Sequence, residues 1–113
     1  MSKQMKRRIF FPKLIGGKKL KILAYSIGQG LWVHPHITAD FKLTKEPNWT
    51  ISLDCGMALS TVWDETLDRV IAACEKLKHL DWSMVDKIKN DVELKPYKKA
   101  KQEFEKSFFI RTE

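Results

Sequence analysis

No aspartate or glutamate occurs in the first 39 residues, although the whole chain carries 14 of them against 21 lysines and arginines. Long apolar runs are missing as well: Ile9 to Phe11, then Leu14 and Ile15, are interrupted by Pro12 and Lys13. A signal peptide needs a longer unbroken apolar stretch, and a membrane-spanning helix needs about 20 apolar residues. The expectation is therefore a cytoplasmic protein, or a nuclear one in a eukaryote, with no membrane partner. Cysteine is scarce. Cys55 falls in a turn and Cys74 on an apolar helix stripe, which argues against a disulfide framework and fits free thiols in a reducing compartment. There is no Cys-x-x-Cys, no His-Glu-x-x-His and no phosphate-loop Gly-Lys-Ser/Thr, and Gly28-Gln29-Gly30 lacks the third glycine of a dinucleotide fingerprint. No cofactor is expected.

What is present begins with patterning. Trp49 to Asp54 alternates apolar and polar residues, which on a strand gives one apolar face and one wet face. Cys55-Gly56 supplies a turn, and Met57 and Leu59 continue the apolar face on the return. The period then changes: Leu67, Val70, Ile71, Cys74 and Leu77 fall on one helical stripe, with Thr61, Asp64 and Thr66 each able to cap its start. A strand and a helix with one apolar side each bury those sides together.

Around this unit, Leu20 to Ile27 is apolar on both faces and reads as a central strand. Gly28 to Gly30 makes a hairpin into Leu31 to His34, which Pro35 must end or place at an edge. Ile9 to Phe11 and Ile37 to Leu43 are shorter strand candidates, and residues 44–48 read as a tight loop. Asp81 or Ser83 opens a second helix carrying Trp82, Val85, Ile88 and Val92, and Pro96 opens a third that aligns Tyr97, Ala100, Phe104 and Phe108. The predicted fold class is α+β. An antiparallel meander of three to five strands in the N-terminal half packs on a central amphipathic helix, and two further helices follow. At 113 residues one core is expected, in one domain over residues 1–113 with residues 1–8 as a flexible basic arm.

The candidate chemistry is sparse. His34 and His36 face the same way on an extended chain and are the weak metal candidates, with a small metal-dependent hydrolase as the corresponding activity. The other ligands of a zinc site have no sequence signature. Asp40, Asp54 and Asp64 could converge on a divalent cation, but their spacing does not require it, and Asp54 at a strand end and Asp64 at a helix start have ordinary structural uses. No sequence context ties Ser26, Ser52, Ser60, Cys55 or Cys74 to a base. Charge says more. Residues 1–39 hold Lys3, Lys6, Arg7, Arg8, Lys13, Lys18, Lys19 and Lys21, while the remainder holds thirteen basic and fourteen acidic residues, so the whole net charge of +7 originates in the first third. Lysines and arginines neutralise phosphates, and Phe10, Phe11, Tyr25 and Trp32 lie nearby to stack on bases. Lys6, Arg7, Arg8, Lys13, Lys18, Lys19, Lys21 and Trp32 are the candidate residues for binding nucleic acid or an acidic partner. The lysines from Lys98 to Lys106 would extend that patch if their helix packs beside the sheet.

Trp49-x-Ile51, Gly56-x-Ala58-Leu59, Trp63, Ile71-Ala72-Ala73-Cys74 and Leu80-Asp81-Trp82 together resemble a pattern in small uncharacterised phage and plasmid proteins, in which a strand, a Gly-x-Ala turn and an aromatic residue precede an alanine-rich helix. The resemblance covers about a third of the chain, mostly packing residues. It implies a mobile-element origin, a setting in which gene-control and defence-countering proteins are common. The resulting expectation is a non-enzymatic binding module that contacts nucleic acid or a nucleoprotein through its acid-free N-terminal third. The alternative is a module that binds and inhibits or adapts a host protein.

Overall fold

Alternation and glycine placement produce a five-stranded antiparallel sheet in a computed structural model of the chain. The structure describes residues 7–17, 20–44 and 47–109. The strands are β1 (Arg7–Phe10), β2 (Ile22–Gly28), β3 (Leu31–Pro35), β4 (Trp49–Leu53) and β5 (Ala58–Val62). They lie side by side in chain order, so the sheet is a plain meander. Helices α1 (Leu67–Ala73) and α2 (Asp91–Phe109) follow, with short 3-10 turns at Cys74–Lys76 and Val85–Lys87.

The β2–β3 hairpin turns on Gln29 and Gly30 at φ of 55° and 78°, the left-handed conformation such turns require. It also docks the helical half. Trp82 N–H donates to the Gln29 carbonyl at 2.7 Å, and the Gln29 side-chain amide donates to the Lys78 and Leu80 carbonyls. The pairing register then sorts the side chains onto two faces. Leu31, Val33, Ile51, Leu53 and Val62 join the main core, to which Val70, Cys74 and Leu77 are added from α1 and its following turn, and Ala100, Phe104 and Phe108 from α2. On the opposite face Phe10, Ile22 and Ala24 form a smaller cluster, with Leu20, Trp32 and Ile37 packed against it.

Several expectations change. The polar face of β4 is not wet: Thr50 and Ser52 are buried along with Ile51 and Leu53. The reason is that Pro12 to Leu14 lie over that face, where Lys13 N–H donates to the Gly56 carbonyl at 2.9 Å. β2 is interior by pairing but not covered on both faces, since Leu23 is 48% exposed. Residues 37–43 make no strand of the sheet. Because β3 pairs directly with β4, from Leu31↔Leu53 to Pro35↔Trp49, the segment between them loops out and closes on itself through a single Ile37↔Leu43 bridge. Arg7 and Arg8, expected in a flexible arm, belong to β1, whereas residues 1–6 lie outside the described residues.

In the helical half, Thr66 is the cap of α1, accepting from Arg69 N–H at 3.3 Å. No α-helix forms around Trp82. Its ring is buried instead, with Nε1–H donating to the Leu77 carbonyl at 2.7 Å. α2 starts at Asp91 rather than at Pro96, with Asn90 Oδ1 accepting from Val92 N–H at 2.8 Å. Pro96 at its sixth position removes only the bond to the Val92 carbonyl, and Val92 is on the solvent side, so water can take that bond.

Candidate functional site

The acid-free third builds the β1–β2 edge of the sheet. On β1 the side chains alternate, so Arg7 shares the helix-side face with Ile9, opposite Tyr25 and Leu23, while Arg8 shares the other face with Phe10. The helices stop short of this edge. Ile9 is 55% exposed and Leu23 48%, and Leu43 from the β3–β4 loop adds a third exposed aliphatic at 43%. Leu23 and Leu43, with Arg7, Lys21, Tyr25 and Trp49, border a groove of about 320 Å³ that no acidic side chain lines among the described residues. Neither Arg7 nor Lys21 makes an ion pair among the described residues, in contrast to Lys101 and Lys106, which pair with Glu105 and Glu103.

The predicted basic patch is thus divided. Arg7 and Lys21 come together at the groove, and Arg8 faces the other way. Lys13 lies across the second face. Lys6, Lys18 and Lys19 lie outside the described residues. The lysines of α2 do not extend the patch: α2 reaches β5, where Glu105 accepts from the Ser60 hydroxyl at 2.9 Å, and β5 is four interstrand spacings from β1, roughly 19 Å. Trp32 is half-buried and engaged. It stacks on Phe10 with ring centroids 4.9 Å apart, and its Nε1–H donates to Asp54 Oδ1 at 2.6 Å.

The second face carries a separate constellation. His34 is 2% exposed, and both of its ring nitrogens are occupied. The Pro35 carbonyl, 2.8 Å from Nδ1, can only accept, which puts the ring proton on Nδ1 and leaves Nε2 to accept from the Ser52 hydroxyl at 2.8 Å. Burial holds the His34 pKa below the ordinary histidine value, and the neighbouring His36 pushes it in the same direction against the Pro35 hydrogen bond. The histidine is therefore neutral at pH 7. His36 Nδ1 lies 3.4 Å from Thr50 Oγ1, which lies 3.1 Å from Thr61 Oγ1, and the His36 ring meets the edge of Trp63. His34, His36, Thr50, Ser52 and Thr61 floor a cleft of about 150 Å³ roofed by Pro12 to Leu14.

No family model matches this chain, and no curated protein or solved structure matches it. The geometry therefore carries the functional argument. Among the described residues no three His, Cys, Asp or Glu side chains are placed to hold a metal ion, and His34 has no ring nitrogen left to offer one. Nor is any helix among them long and apolar enough to cross a membrane. Cys55 is exposed, Cys74 is buried and both are free, with burial pushing the Cys74 thiol up to about 12.

Two features escaped the sequence. The partnership of Ser52 with His34 joins residues 18 apart through a diagonal of the β3–β4 ladder, which no local spacing encodes. The groove depends on where the helices stop. The available signal is the apolar second face of β2 at Leu23 and Tyr25, which patterning alone assigns to a covered strand.

Proposed function

We propose that the chain is a binding module that holds nucleic acid on the β1–β2 half of its sheet. The observation that carries this reading is the groove bordered by Arg7 and Lys21, which among the described residues has no acidic side chain in its lining and no ion pair to either cation. Phosphates take up the charge, and each contact releases counterions, so binding is steeply salt-dependent. Tyr25 supplies ring surface beside the cations for a base to stack on, and Phe11 is exposed just after β1. The basic residues preceding β1, together with Lys18 and Lys19, add charge to the same third of the sequence.

A direct test is fluorescence-anisotropy titration of single-stranded and duplex DNA and RNA at 50 and 200 mM salt. Affinity for at least one of them should fall steeply between the two salts and should weaken in Arg7→Gln/Lys21→Gln. No binding at 50 mM salt, or an unaffected double variant, would refute the reading. A second reading is favoured by the aliphatic character of Ile9, Leu23 and Leu43, which resembles the centre of a protein interface more than a stacking platform. In it an acidic host protein or nucleoprotein occupies the groove, as a mobile-element inhibitor or adaptor requires. Leu23→Ser separates the two, because it removes apolar contact and leaves charge intact.

A further inference from the structure

The His34–Ser52 pair on the second face goes beyond binding. We infer that Ser52 is a nucleophile activated by His34, in a cleft shaped for the short acyl group of a small ester or thioester. A serine hydroxyl becomes nucleophilic when a neutral imidazole stands ready to take its proton and a third group fixes that imidazole's orientation. All three parts are in place. Ser52 Oγ–H points at Nε2 over 2.8 Å, and the Pro35 carbonyl anchors Nδ1–H over another 2.8 Å. The Ser52–His34 distance is within the range for proton transfer, and the Pro35 contact holds the ring in place. Ser52 is buried at 1% exposure and lies among the residues that line the cleft, so a substrate reaches it only from the cleft side.

The remaining lining indicates the substrate class. Pro12, Leu14, Ile37 and Ala58 make the walls apolar, while the hydroxyls of Thr50 and Thr61 and the His36 imidazole are the donors available to a developing oxyanion. At about 150 Å³ the hollow is smaller than the roughly 300–1,000 Å³ that drug-sized ligands occupy, which restricts the acyl part to a few carbons. In the first step the Ser52 proton passes to His34 Nε2 as Oγ bonds to the acyl carbon. The bond to the leaving alcohol or thiol then breaks, and that group departs with the proton from Nε2. A water repeats the sequence, giving its proton to Nε2 and its oxygen to the acyl carbon, and Ser52 recovers its hydroxyl as the carboxylic acid leaves. This site is on the opposite sheet face from the groove and does not depend on nucleic-acid binding. The chain thus has a hydrolytic activity besides its binding function.

The test is to treat the full chain with a small fluorophosphonate, map the adduct by mass spectrometry, and follow p-nitrophenyl acetate hydrolysis in parallel. The adduct should form at Ser52 ahead of every other serine and threonine. It should be absent in Ser52→Ala, unchanged in Ser60→Ala, and slower by about 100-fold or more in His34→Gln, the contribution of a general base. Its rate should also fall with acid as His34 protonates, below the ordinary value of 6.5, with His36 and Lys13 the other titratable groups lining the cleft. A natively folded chain with no adduct at Ser52 would overturn the inference, as would labelling at the wild-type rate in folded His34→Gln. Should His34→Gln not fold, a wild-type labelling rate that is flat from pH 4 to 8 has the same force.

Discussion

Gly30→Ala should be one of the most destabilising single-methyl additions in this chain. Gly30 has φ of +78°, and a Cβ built there would lie 2.3 Å from Ser83 N and 2.5 Å from Ser83 Cα. Those atoms are backbone, fixed by the Trp82 N–H to Gln29 carbonyl bond, so they cannot swing aside as a flexible side chain would. A left-handed alanine costs about 1–2 kcal/mol. Forcing the 82–83 segment off the hairpin adds the penalty of overpacking, about 1–3 kcal/mol. The sum is about 2–5 kcal/mol, a large part of the roughly 5–15 kcal/mol by which a domain is usually stable. Gly28→Ala is the matched control: its φ is +94°, but the nearest atom to an added Cβ is Lys78 Cε at 4.0 Å, so only the backbone cost of about 1–2 kcal/mol applies. Urea unfolding followed by tryptophan fluorescence measures both variants. Equal losses at the two glycines would refute the claim that the hairpin is where the helical half is clamped to the sheet.

Removing the indole donor in Trp82→Phe leaves the Leu77 carbonyl with only the Leu80 N–H at 3.2 Å and should cost about 0.5–1.5 kcal/mol in the same assay. The His34 pKa is lowered on folding, so the unfolded chain binds the extra proton first. His34 should therefore contribute nothing to the pH dependence above about 6.5 and should cost stability increasingly as pH falls below it, a slope that His34→Gln removes. Thiol titration should find Cys55 reactive in the native protein, with Cys74, buried and shifted up to about 12, appearing only in denaturant. Neutralising Lys98 and Lys99 should leave nucleic-acid affinity at low salt nearly unchanged, while Arg7→Gln/Lys21→Gln lowers it. Anisotropy titration of the two pairs checks this.

The parts legible in the sequence were those written in local order. Alternation at Trp49 to Leu53, the Gly28 to Gly30 turn, and the Ala100, Phe104 and Phe108 spacing all appear in the fold as strand, hairpin and buried helix face. What failed depended on remote neighbours. Thr50 and Ser52 look like solvent-facing residues until Pro12 to Leu14 pass over them. Trp82 satisfies a helical spacing, yet a buried hydrogen bond to Leu77 outweighs helix propensity there. Pro96 resembles a helix start, but Asn90 caps one turn and a half earlier, and the lost bond falls on the exposed side. The basic third was visible by composition alone, whereas strand parity decides which of its residues share a surface, separating Arg7 from Arg8.

Because the spatial order of the strands equals their order in the chain, every ladder closes between neighbours, and a growing chain can complete the whole sheet once Val62 is free. The helices that dry one side of it come later. At synthesis rates of about 5–20 residues per second, Phe104 follows Val62 by about 2–8 seconds. Val70, Cys74 and Leu77 arrive early in that interval, and for the rest of it the face of Leu31, Val33, Ile51, Leu53 and Val62 lacks the cover of Ala100, Phe104 and Phe108. A nascent chain in that state is a substrate for chaperones that grip exposed strands, and a ribosome stalled between β5 and α2 leaves behind an aggregation seed.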